Sequence, residues 1–153
     1  VLDFTTAAPQ AVSDTYVAQA AMEFISQFGN VSPASIDDQY ERLVSNMSPD
    51  LAVRFRAEAQ DWKTRVKQEN ISEISAVTSR QIASDERGSY RVVAMVKTSS
   101  FVGSESLGAR EEVVEMLMHL VPPRDGKRWF LEITSLSKFS KDAYKVQKSM
   151  EGR

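Results

Sequence analysis

Along the first half of the chain the apolar positions recur at helical spacing; along the second half they alternate. Tyr16, Val17, Ala20, Ala21, Phe24, Ile25 and Phe28 form one wide stripe, preceded by Ser13 and Asp14 as candidate caps and ended by Gly29-Asn30. Ser32-Pro33 and Ser48-Pro49 each set a capping hydroxyl before a proline. Proline is welcome at the first helical position because its missing N–H would find no partner there. Ile36, Tyr40, Leu43, Val44 and Met47 line one face of the second predicted helix. Leu51, Phe55, Ala59, Trp62 and Val66 line one face of a longer third, which fades near Asn70. Asp37, Asp38 and Asp50 put negative charge near the positive helix ends.

After Asn70 the period drops to two. Strands are predicted over 71–83, 90–101, 111–121 and 129–136, joined by turns at Asp85–Gly88, between Gly103 and Gly108, and at Pro122–Gly126. Consecutive strands with short connections imply an antiparallel meander. Helices that precede such a sheet must pack on one of its faces, because each apolar stripe needs a partner. The predicted fold is therefore α+β, three N-terminal helices on a curved four-stranded antiparallel sheet, the cone-like shape called NTF2-like (nuclear-transport-factor-2-like). Residues 13–137 make the domain and residues 1–12 read as a linker. The tail over 138–153 carries five basic and two acidic residues and is expected to form at most a short exposed helix.

A length of 153 residues suits one domain. With no cysteine, thiol catalysis, Cys-based zinc sites and iron–sulfur clusters are excluded. The 19 basic and 21 acidic residues nearly balance, so no global charge points to nucleic acid. No stretch approaches the roughly 20 apolar residues that span a bilayer. The chain opens on Val1 without a signal peptide and reads as an excised piece of a longer protein.

Candidate chemistry is sparse. His119 is the single histidine, and Glu115, four strand residues away, is about 13 Å distant and cannot orient it. Asp37-Asp38 and Glu111-Glu112 are adjacent pairs, which face apart on a helix and on a strand alike. Gly103 and Gly108 lack the spacing of a phosphate loop, and no serine sits in a G-x-S-x-G elbow. Arg54, Lys63, Arg65 and Lys67 are interleaved with Glu58, Asp61 and Glu69, the pattern of a solvated helix. No catalytic residue, metal or cofactor is expected.

One feature stands out. The central strands are apolar on both faces, with Val92, Ala94, Val96, Val114, Met116, Met118, Leu120, Trp129, Leu131 and Ile133 on one. Val93, Met95, Val113, Leu117, Val121 and Phe130 lie on the other. Three helices cover only one of these, so the second is expected to meet either the tail or another chain. The candidate interface residues are Tyr16, Ala20 and Phe24 on the first helix, with Val93, Met95, Val113, Leu117 and Phe130 on the sheet. The rival class is a small-ligand binder or ketosteroid-isomerase-like enzyme on the same cone, which needs an acid and a donor inside the hollow. Strand parity instead fills the interior with Val, Met, Leu and Trp.

The runs YVAQAAMEFISQFGNVSPASIDDQYERLVSNMSP, EAQDWKTRVKQENIS and VKTSSFVG, with the DGKRWFLEI hairpin, resemble the TraE family of conjugative pilus assembly proteins. Tyr16, Gln19, Asn30, Asp37, Lys63, Asn70, Lys97 and Gly103 are among the matching positions. The resemblance implies the periplasmic domain of a bacterial inner-membrane subunit of a type IV secretion system, similar to VirB-type scaffold subunits. It implies no catalytic residues and no cofactor. The implied partners are a second copy of the chain, other secretion subunits and the membrane, reached through an anchor before Val1; nucleic acid is not among them.

Overall fold

The computed structural model describes residues 12–85 and 87–151, with the side chains of 147 and 149–151 excepted. The linker expected over residues 1–12 lies, apart from Val12, outside the described residues. Four helices and one sheet follow in chain order: α1 (Asp14–Gly29), α2 (Ile36–Val44), α3 (Pro49–Gln68), β1 (Ile71–Ser84), β2 (Ser89–Val102), β3 (Glu105–Leu120), β4 (Leu131–Ser140) and α4 (Lys141–Glu151). The strands are antiparallel in the order β1-β2-β3-β4, the meander expected from the short turns.

Local chemistry sets the helix ends. The Ser13 hydroxyl accepts from the Tyr16 amide at 3.1 Å, and the Ser48 hydroxyl from the Leu51 amide at 3.4 Å with Pro49 in the first turn. Ser32-Pro33 behaves differently. The Ser35 hydroxyl accepts from the Ser32 amide, so this pair closes a turn and α2 starts later, at Ile36. Lys63 and Lys67 of α3 both reach Asp37 of α2, at 3.2 and 2.6 Å, and tie the two helices at the surface.

Asn70 joins α3 to β1 with φ 54°, in the left-handed region that asparagine tolerates better than most residues. Its carbonyl accepts from the Gly103 amide, which links this reversal to the β2–β3 hairpin. Asn70→Val is expected to cost about 1–2 kcal/mol and Asn70→Gly almost nothing, read from urea midpoints. Equal losses for both would place the value of Asn70 in its side-chain contacts instead.

Two strand boundaries differ from expectation. β3 begins at Glu105, straight after a Gly103-Ser104 turn. Gly108 lies inside it, at φ 92°, where the register jumps from Ser99↔Ala109 to Phe101↔Ser106. β4 starts after Trp129 and Phe130 and continues to Ser140, so the first residues of the basic tail are sheet. Register shifts at Val77/Ser79 and Leu117/Met118 interrupt the ladders, the irregularities at which strands bend and twist locally.

The helices lie on one face. Val17, Ala20, Phe24, Ile36, Leu43 and Val66 pack against Val92, Ala94, Val96, Met116, Met118, Leu131 and Ile133 in a single core. The loop between α2 and α3 also grips β4: the Ile133 amide donates to the Asn46 carbonyl at 2.7 Å and the Ser48 amide to the Ile133 carbonyl at 2.8 Å. The fold is the α+β NTF2-like cone that the pattern of helices and strands predicts.

Candidate functional site

The open end of the cone holds a hollow of about 600 Å³ lined by Phe28, Tyr40, Phe55, Trp62, Leu136 and Phe139. Trp62, expected in the core, is half-buried at this wall. The Lys138 ammonium sits 5.0 Å above the Phe28 ring, a cation–π contact at the rim.

The floor of the hollow departs from expectation: it is not filled by Val, Met, Leu and Trp alone. Glu73 on β1 points toward the helices with its side chain only 7% exposed. Arg110 on β3 donates to both Glu73 oxygens at 2.9 and 3.2 Å and to the Ser100 hydroxyl at 2.6 Å, while that hydroxyl donates to Glu73. Arg110 also lies 3.4 Å from the buried Glu112 carboxylate. Beside them the hydroxyls of Ser75 and Thr98 bond at 3.0 Å.

This arrangement is the acid inside the hollow that an isomerase-like site needs, yet it is engaged. A general base must have a free lone pair aimed at substrate, and both Glu73 oxygens accept from the Arg110 Nη2, one of them also from Ser100. The neighbouring hydroxyl is that of Tyr40, which also lines the hollow. Burial pushes the Tyr40 hydroxyl up to about 12; hydrogen bonding to Trp62 counters this and the Glu73 charge adds to it. Tyr40 therefore keeps its proton throughout the neutral range. Since its pKa is raised in the fold, the stability it lends is complete below pH 10 and drains away as pH climbs toward 12. One tyrosine should ionise near pH 12 in an absorbance titration, and Tyr40→Phe should flatten the alkaline loss of stability. A Tyr40→Phe profile that overlays the parent would contradict this. Among the described residues no cluster of three or more His, Asp or Glu is placed to hold a metal ion.

The opposite face of the sheet presents the second candidate surface. The chain turns at Ser140 and sends α4 across β3 and β4. Lys141 pairs with Glu111 at 2.7 Å, Lys148 lies 3.9 Å from Glu115, and Arg91 bonds Glu115 at 3.0 Å. The Tyr144 ring packs 5.9 Å from that of Phe139. Of the two covers expected for this face, the chain's own tail supplies one, over half the sheet.

The candidate interface residues fall into three places. Val93 and Met95 are half-buried on the outer face of β2, and Leu117 on β3 is 39% exposed. Val113, on the same face, is sealed. Ala20 and Phe24 are completely enclosed in the core, so they have no surface to offer a partner. Tyr16 and Phe130 meet each other instead of joining the outer patch. The Phe130 amide donates to the Tyr16 hydroxyl at 2.7 Å, and the Tyr16 ring lies 5.1 Å from Trp129 and 6.3 Å from Phe130. Trp129 in turn donates to Glu23, whose carboxylate also meets Arg128 at 3.3 Å, so this cluster fastens α1 to the segment before β4.

Glu73, Ser100 and Arg110 are the site residues that sequence reasoning missed, although Glu73 shares the parity of Ile71 and Ser100 that of Val96 and Thr98. His119 likewise has a partner that chain distance concealed: Glu132, opposite it across the β3–β4 ladder at 3.8 Å.

A curved four-stranded antiparallel sheet with three helices on one face defines a class of fold, the NTF2-like domains. The periplasmic domain of DotI superposes with a TM-score of 0.71 at 17% identity, covering 84% of this chain and 96% of that one. VirB8 of Agrobacterium tumefaciens gives 0.69 at 10%, covering 84% and 92%. A TraE protein solved in complex with 2-(2-furyl)isonicotinic acid gives 0.65 at 12%, covering 85% and 98%. Curated protein sequences give no match. The TraE protein family matches residues 4–119, and the chain belongs to that family.

Proposed function

We propose that this chain is a non-enzymatic assembly scaffold of a type IV secretion system. It stands in the periplasm, held at the inner membrane by a segment outside this sequence, and works by self-association and by contact with other secretion subunits. The observation that carries this reading is how the polar and apolar groups are distributed. Glu73, on the floor of the hollow, is held by Arg110 and Ser100, whereas Val93 and Met95 are half-buried and Leu117 is 39% exposed on the outer face of the sheet. Membership of the TraE family supports it, and so does the fold shared with secretion proteins. Among the described residues no helix is long and apolar enough to cross a membrane. Tethering would raise local concentration and let weak contacts suffice.

The test is conjugative transfer in cells carrying the full-length protein with substitutions in either place. Met95→Glu and Leu117→Glu should cut transfer by at least about tenfold at unchanged protein level, since each buries a charge in the apolar contact. Tyr40→Phe should leave transfer intact. The reverse pattern would favour a second reading, a small-ligand site in the hollow. Its aromatic walls and the Lys138 rim suit an aromatic acid of the kind bound by the TraE protein above.

A further inference from the structure

We propose that the free edge of β1 pairs, antiparallel, with the same edge of a second copy, joining the two sheets into one continuous layer. The inference deepens the self-association reading by naming the strand that carries it. The two edges of the sheet are treated differently. At β4 the α2–α3 loop satisfies Ile133 on both its amide and its carbonyl. At β1 only the beginning is closed. Val31 bridges Glu73 through two backbone bonds at 3.0 and 2.8 Å, and the Asn30 side chain accepts from the Ser75 amide at 2.7 Å. From Ala76 to Ser84, no described residue bonds the outward side of the strand.

Nine residues of open edge span about 30 Å of unpaired amides and carbonyls. Natural edges of that length are usually blunted by Lys, Pro or inward charge. This one reads Ala-Val-Thr-Ser-Arg-Gln-Ile-Ala-Ser, with β-formers, no proline and one charge, Arg80, on the helix-facing side beside α1. Its one irregularity is the shift at Val77/Ser79, after which Ser79–Ser84 runs straight against β2.

The composition selects the occupant. One cation among neutral side chains gives a foreign acidic or basic strand little to recognise, whereas a second copy complements it in a register centred on Gln81. That register sets Arg80 opposite Ile82, Ser79 opposite Ala83 and the two Gln81 amides against each other. Like charges are thereby kept apart, and the Arg80 stem lies along an apolar neighbour. A register centred on Arg80 would place two guanidiniums face to face. Each copy carries a net charge of only −2, so the approach meets little long-range repulsion.

The chain has no cysteine, so single-cysteine variants report proximity without background. Opposed residues of an antiparallel pair lie about 4.5–5.5 Å apart at Cα, within disulfide reach. Gln81→Cys should form a cross-linked dimer on mild oxidation. Ser79→Cys and Ala83→Cys should each fail to cross-link alone, yet cross-link when mixed. Gln81→Lys should weaken dimerisation by about tenfold or more in sedimentation while leaving the unfolding midpoint in place. If the chain dimerises but Gln81→Cys does not cross-link and Gln81→Lys does not weaken it, the β1 proposal falls and self-association stands on another face. A chain that stays monomeric both in solution and when tethered to vesicles overturns both.

Discussion

Arg110→Met should lower the unfolding free energy by about 3 kcal/mol, because it strands a buried carboxylate. Glu73 keeps only the Ser100 hydroxyl once the guanidinium is gone, and Ser100 loses one of its own partners in the same step. The Arg110 side chain is 45% exposed, so water reaches part of the vacated space and holds the loss near the lower end of what broken buried pairs cost. The double variant Glu73→Met/Arg110→Met should recover most of the deficit, since well-packed apolar side chains can replace such a pair at little cost. Urea denaturation of the four species closes the cycle. A single-variant loss below about 1 kcal/mol would mean that the pair is as dispensable as an exposed one. If the double variant folds and still supports conjugative transfer, Glu73 is structural and the enzyme-like reading loses the buried acid that lines the hollow.

That carboxylate also marks the boundary of what the sequence makes legible. The helices announce themselves through local rules: a serine before a proline, a stripe at 3.6-residue spacing, an asparagine at a reversal. Those rules succeed because they involve residues within a few positions of each other. Even so, Ser32-Pro33 satisfied the same rule and made a turn, because the Ser35 hydroxyl offered the Ser32 amide an alternative partner. Strand parity placed Val92, Met116 and Ile133 inward and Val93 and Met95 outward. It failed near strand ends: Phe130, assigned to the outer face, precedes β4 and turns to Tyr16. The polar floor of the hollow needs three strands in register, since Glu73 faces Ser100 across one ladder while Arg110 reaches both from the next. No spacing along the chain encodes that meeting. The candidate surface was half legible: a doubly apolar sheet was visible in the alternation, but what lies on it depended on a tail whose residues look merely basic.

Removing that tail is the other change expected to have a large effect. A chain ending at Ser140 loses α4, and with it the Tyr144 ring against Phe139, the Lys141 partner of Glu111, the Lys148 contact to Glu115, and the helix that packs on β3, whose outward Val113 is fully buried. Uncovering one fully buried valine and most of one aromatic ring forfeits about 3 kcal/mol of apolar burial. The surface ion pairs add little to this, because Lys141 and Glu111 are both well exposed. The fold should survive, since the main core lies wholly on the other side of the sheet. Truncation is therefore expected to lower the urea midpoint without changing the far-ultraviolet spectrum beyond one lost helix, and to expose apolar surface that binds a hydrophobic dye. The newly bared strip is continuous with Met95 and Leu117, so the truncated chain should also associate more strongly in sedimentation. Should it instead remain monomeric and dye-negative, the outer face would be adequately polar without α4, and the case for a contact surface there would fail with it. A restored midpoint on adding the separate peptide of residues 138–153 would identify α4 as a removable cover, seated on the same face that a partner would use.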